Sequence, residues 1–129
     1  MPEDNPGPNG DLQLRTVAMP ADTNPAGDIF GGWIMALMDL AAGTAASERA
    51  MGRTATASVS HLSFLRPVKI GDVVSVYTRV ERVGRTSISL AVEAWAVQRG
   101  RNDHHKVTAA EFVMVALDHD GKPTPVPKI

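Results

Sequence analysis

Three features of the chain predict an α+β fold in which one long helix is buried against a five-stranded antiparallel sheet. A proline-free block from Gly31 to about Met51 is rich in helix formers. One block ahead of it and four after it have the Val, Thr, Ser and Ile content of strands. Short turn-forming segments separate the later blocks, which favours antiparallel pairing between neighbours.

Taken in order, residues 1–10 are acidic and proline-rich, the reverse of a secretory signal, and read as a disordered tail. Leu12 to Ala18 reads as a short strand. Met19 to Asp28 is dense in Pro, Asp, Asn and Gly and forms a polar loop. The helix follows, with Gly52 placed to end it in a left-handed conformation. Ala55 to Phe64, Val73 to Val83, Thr86 to Gln98 and Val107 to Leu117 are the remaining strands. In the third of these, Ile88, Leu90, Val92 and Ala94 alternate with Ser87, Ser89 and Glu93, so one face is apolar. Arg66-Pro67 with Gly71-Asp72, then Gly84-Arg85, then the polar run Arg99 to Lys106 make the turns. Residues 11–118 form the single domain and 119–129 an extended, proline-spaced tail.

Composition narrows the function classes. The chain has 129 residues, 43% hydrophobic and 21% charged, as expected of one globular domain with one core. A formal net charge of -1 supplies no basic stripe for nucleic acid. With no cysteine there is no disulfide, thiolate metal site or cysteine nucleophile. The longest mostly apolar stretch, Ile34 to Ala46, contains Asp39 and falls short of the roughly 20 residues of a membrane span. A cytoplasmic address is expected. His104-His105 beside Asp103 reads as a solvated hairpin rather than a metal site, since neighbouring strand residues project to opposite faces. His61 reads as packed or at an interface, and Trp33 and Trp95 as core or interface.

The helix carries the chemistry. Between Gly31 and Ser47 its only charged residue is Asp39. Gly32, Ala36, Asp39, Gly43 and Ala50 share a narrow arc of small residues, opposite Ile34, Met38, Ala41 and Ala45, which can pack into the sheet. A lone carboxylate amid apolar residues finds donors, shifts its pKa or does chemistry. An Asp that simply faces solvent or caps a loop fits the pattern equally well. At the helix start, Gly31 and Gly32 offer backbone N–H groups without intrahelical acceptors and room for a ligand to approach, although tight packing also explains paired glycines. Asp39 lies 39 − 31 = 8 residues on, about 12 Å along the axis, so one subunit cannot easily supply both. The helix is apolar on several sides, so dimerisation through sheet edge and helix is expected. Two antiparallel helices would then create two composite sites and leave the monomer inactive.

The stretch Leu14-Arg-Thr-Val-Ala-Met-Pro-Ala-Asp-Thr-Asn-Pro-Ala-Gly-Asp-Ile-Phe-Gly-Gly-Trp-Ile-Met-Ala-Leu-Met-Asp39, with Phe64-Leu-Arg-Pro-Val68 and Gly71-Asp-Val-Val74, resembles the YciA-type acyl-CoA thioesterases of the hotdog-fold superfamily. The resemblance implies a hotdog fold, hydrolysis of acyl-CoA, no metal, no cofactor beyond the coenzyme A of the substrate, and a homohexamer built as a trimer of dimers. It assigns catalysis to Asp39, as general base or as nucleophile, and pairs it with the asparagine fifteen residues earlier, Asn24. Gly31 and Gly32 would polarise the thioester carbonyl. Phe30 stands where another branch of the superfamily has histidine, as YciA-type sequences do.

Asp28 would cap the helix or steady the Asn24 loop. Because CoA carries phosphates, cations are expected at the mouth, with Arg66 preferred over Arg85 and Arg53. Phe64, Thr86 and Ser87 complete the expected substrate contacts. The competing functions are a hotdog hydratase or dehydratase, which needs a placed histidine that Phe30 does not supply, and a non-catalytic acyl-CoA-binding module.

Overall fold

The computed structural model describes residues 7–129. Its elements are β1 (Asp11–Val17), a 3-10 turn (Pro20–Asp22), α1 (Gly31–Ala50), β2 (Thr54–Phe64), β3 (Val73–Val83), β4 (Ser87–Val97) and β5 (His105–Ala116). The strands form one sheet in the order β1-β3-β4-β5-β2, every neighbouring pair antiparallel. Of the expected N-terminal tail, residues 1–6 lie outside the described residues. Beyond them the Asn9 N–H donates to Glu93 Oε1 at 3.2 Å.

β4 explains how the helix is held. Its residues Ile88, Leu90, Val92, Ala94 and Ala96 are each 0% exposed, because period-two alternation aims all of them at the face that α1 covers. Val74 and Val76 of β3 and Phe112, Met114 and Ala116 of β5 extend that face on either side. The helix answers with Ile34, Met38, Ala41, Ala42, Ala45 and Ala46. Four alanines on this side let it settle close to the strands, at the density of a packed interior. Full burial of Met38, Ile88, Leu90 and Phe112 contributes about 1.5–3 kcal/mol each.

β2 behaves differently. It occupies a free edge of the sheet, and Ala55 to His61 are all exposed. Irregular pairing with β5 between Thr56 and Ser58, and again between Ser60 and Ser63, bends the strand; His61 within it has φ 54°. Leu40 (61% exposed), Phe64 and Leu65 leave apolar surface bare near this edge.

Three local expectations change. The left-handed residue ending α1 is Met51 (φ 57°), one position ahead of Gly52. Gly52 N–H instead reaches Ser47 O at 3.2 Å, and the Ser47 and Thr54 hydroxyls meet at 2.8 Å, so the short turn into β2 sets the bend at Met51. The β5 strand begins at His105 rather than Val107, since His105 and Lys106 pair with Ala96 and Trp95. Ala50 leaves the small exposed arc and is buried in the core cluster.

The C-terminal segment packs back on the domain. Val126 is buried and donates its N–H to Arg85 O at 2.8 Å.

Candidate active site

Asp39 projects from the middle of α1 into an open groove of about 570 Å³ between the helix and β2. Gly43 and Ser47 continue the helical wall, Thr54 and Thr56 form the opposite one, and Met114 also lines it. Thr56 Oγ1 donates a hydrogen bond to Asp39 Oδ1. Of the small residues of the arc, Gly43 borders this open space beside the acid. Thr56 was not legible beforehand: a threonine in an edge strand is ordinary, and only the approach of β2 to α1 gives it a partner.

The loop before the helix is built around Asn24. Its Oδ1 accepts from the backbone N–H of Ala26 at 3.0 Å and of Asp28 at 3.1 Å, while its own N–H donates to Asp28 O at 2.7 Å. This side-chain turn uses the amide oxygen and leaves the amide N–H groups outside it. Asp28 does not cap the helix. The N-cap is Phe30, which has no side-chain cap bond, and the Asp28 carboxylate pairs with the Lys69 ammonium. Lys69, 41 residues away, carried no signal in the sequence.

At the helix start the two glycines differ. A Cβ on Gly31 would come within 3.1 Å of Phe64 Cζ, whereas one on Gly32 would meet nothing within 4 Å. Close packing therefore accounts for Gly31, and open approach is available at Gly32. Gly31, Phe64 and Arg66 share a hollow of about 330 Å³ with Ile34 and Val68. The hollow and the Asp39 groove are separate within one chain.

Thr86 and Ser87 line neither. Thr86 ends the β3–β4 turn and Ser87 opens β4; Ser87 O accepts from Gly84 N–H at 2.8 Å and Thr86 O from Ala116 N–H at 2.9 Å. Arg85 lines a further hollow beside Arg49 and the C-terminal segment. In the β4–β5 connection, Arg101 Nε binds Asp103 at 2.9 Å, and that hydrogen bond holds the Asp103 carboxyl below its ordinary range.

A single helix cradled by a five-stranded antiparallel sheet, with one acid on the helix facing a groove, defines the hotdog class of thioesterase-like proteins. The family model of the thioesterase superfamily matches residues 26–101. The acyl-CoA thioester hydrolase YciA of Salmonella typhimurium is 50% identical over 123 residues, covering 93% of this chain and 92% of that protein. Among solved structures, the hexameric thioesterase y2039 of Yersinia pestis is 47% identical with a TM-score of 0.87, covering 93% of this chain and 98% of that one. A hexameric hotdog-fold thioesterase of Campylobacter jejuni is 45% identical with a TM-score of 0.85, covering 92% and 91%. The chain belongs to the thioesterase superfamily and, within it, to the YciA-type acyl-CoA thioester hydrolases.

Proposed function

We propose that the protein hydrolyses acyl-CoA thioesters to free coenzyme A and a carboxylic acid, at a site completed by a second copy of the chain. The observation that carries this is Asp39, the lone charge of the helix between Gly31 and Ser47, opening on a groove large enough for a thioester arm. Acting as a base, Asp39 takes a proton from water while the water oxygen attacks the carbonyl carbon. The oxyanion is held by the N–H groups of Gly31 and Gly32, each good donor contributing about 3 kcal/mol. Collapse breaks the C–S bond, and the proton passes from Asp39 to the departing thiolate. Acting as a nucleophile, the Asp39 carboxylate would displace the thiolate to form an anhydride, which water opens to the free acid and a protonated Asp39, whose proton passes to the thiolate. Both routes use only side chains, backbone donors and water.

The amide N–H groups of Asn24 orient the water or the carbonyl. Asp28, paired with Lys69, steadies that loop beside the substrate. Phe64 and Arg66 border the entry, Arg66 toward the phosphates of coenzyme A, with Thr86 and Ser87 as donors to the pantetheine or phosphates.

The two hollows and the bare β2 edge support a shared site, since the helix start and Asp39 are about 12 Å apart along α1. The relatives from Yersinia and Campylobacter are described as hexamers, which favours a homohexamer, a trimer of dimers, with the dimer as the smallest unit that can be active. Among the described residues no helix is long and apolar enough to cross a membrane; the cytoplasm is the proposed location. The test is thiol release from acyl-CoA by wild type and Asp39→Asn. A loss of about 10²-fold or more is expected in the variant, and unchanged turnover would reject the assignment.

A further inference from the structure

We propose that the acyl chain of the substrate lies over Gly43, between α1 and Met114, and that these two residues set the length of chain the enzyme accepts. The inference rests on the thioesterase reading above and names the arm of the substrate that the groove beside Asp39 takes. Gly43 follows the acid by one helical turn on the same side, and both line that groove. Glycine inside a helix is disfavoured against alanine, so it stands there for a reason outside the helix. Two common reasons are absent. Gly43 is not among the residues with positive φ, and a Cβ built on it would meet Met114 Cε at 3.8 Å, an ordinary contact, and nothing closer. What the missing side chain preserves is the open space of the groove, one turn from the acid.

The walls suit hydrocarbon. Asp39 carries the only charge among the lining residues, and Leu40, Ala55 and Met114 present carbon. The hydroxyls that remain are already bonded: Thr44 Oγ1 donates to Leu40 O at 2.8 Å, Thr56 Oγ1 to Asp39, and those of Ser47 and Thr54 meet at 2.8 Å. A phosphate would find no cation past the acid, whereas an alkyl chain there leaves water for apolar contact. Ser47 lies 47 − 39 = 8 residues beyond Asp39, about 12 Å along the axis, and its bond to Thr54 ties the helix to β2. That pair marks the far end of the groove, so the chain must fit between it and the acid. Met114, an unbranched thioether, is the wall that yields to what lies against it. Unbranched chains of short to medium length are the class this space takes.

Steady-state thiol release from acetyl-, butyryl-, octanoyl- and decanoyl-CoA by wild type, Gly43→Ala and Met114→Ala, with thermal midpoints, tests this. The readout is the ratio of kcat/KM for the longest chain that wild type accepts to that for acetyl-CoA, which cancels any loss of folded enzyme. The ratio should fall about 10-fold or more in Gly43→Ala, as one misfitting carbon in an apolar pocket discriminates by that much. The midpoint should stay level or rise, since alanine suits the helix better. In Met114→Ala the ratio should rise, by about fourfold for each further methylene the space admits. An unchanged ratio in either variant, or an equal loss on every chain, would overturn the assignment while leaving the thioesterase reading intact. So would a wild type confined to acetyl-CoA. A wild type that releases no thiol from any of these substrates would overturn both.

Discussion

The ring of Phe64 lies over Gly31 so closely that a Cβ added to that glycine would stand 3.1 Å from Cζ and 3.3 Å from Cε1. One residue later the same addition meets open space. Neighbouring glycines at one helix start therefore answer to different constraints, and substitution separates them.

Gly32→Ala should stabilise the fold or leave it unchanged, since alanine is favoured over glycine in a helix by up to about 1 kcal/mol. It should nonetheless impair thioester turnover by crowding the approach to the N–H groups. Gly31→Ala should destabilise by roughly 1 kcal/mol as the Phe64 ring is displaced, and adding Phe64→Leu should relieve part of that cost. Thermal midpoints and kcat/KM for the three variants check this. A fully active Gly32→Ala would remove that position from the site.

Asn24 serves the loop through its oxygen and, as proposed, the substrate through its nitrogen. Asn24→Asp keeps the oxygen and should retain most of the stability, yet lose activity with the amide donors. Asn24→Ala breaks the two side-chain acceptor bonds, each worth about 1 kcal/mol net, and should lower both. If Asn24→Asp turns over like wild type, the residue is only a loop organiser.

The Asp28–Lys69 pair is largely exposed, with 39% and 62% of the two side chains accessible. Lys69→Ala should cost well under about 1 kcal/mol, and less still at high salt, as exposed ion pairs do. A midpoint shift in low salt that vanishes in high salt would fit the pair; a large, salt-independent loss would assign Lys69 a packing role instead.

Val59 lies in the exposed part of β2. Val59→Lys puts a charge on the open edge, a device that blocks edge-to-edge pairing. The variant should sediment as a smaller species than wild type and lose thioester turnover. Dissociated but fully active protein would contradict the shared site.

The helix from Gly31 and the inward set of β4 were readable because each reports on its own period: side chains at 3.6- or 2-residue spacing show which face is buried. Asp39 stood out in the same way, as one charge in an apolar stretch, and its family motif added Asn24. The pairings are another matter. Thr56 reaches Asp39 across 17 residues and Lys69 reaches Asp28 across 41, and no periodicity encodes a partner at that range.

The sequence by itself determined the class of fold and the lone charge of the apolar helix, since these follow from local pattern and composition. Only the tertiary structure decided that β5 separates β2 from the other three strands, that Phe64 covers Gly31, that Asp28 bonds Lys69 rather than the helix end, and that Met51 takes the left-handed turn. The physical reason is common to all four. Each depends on where a strand or turn arrives in space, and that is set by the packing of the whole sheet around the helix rather than by the preferences of the residues involved.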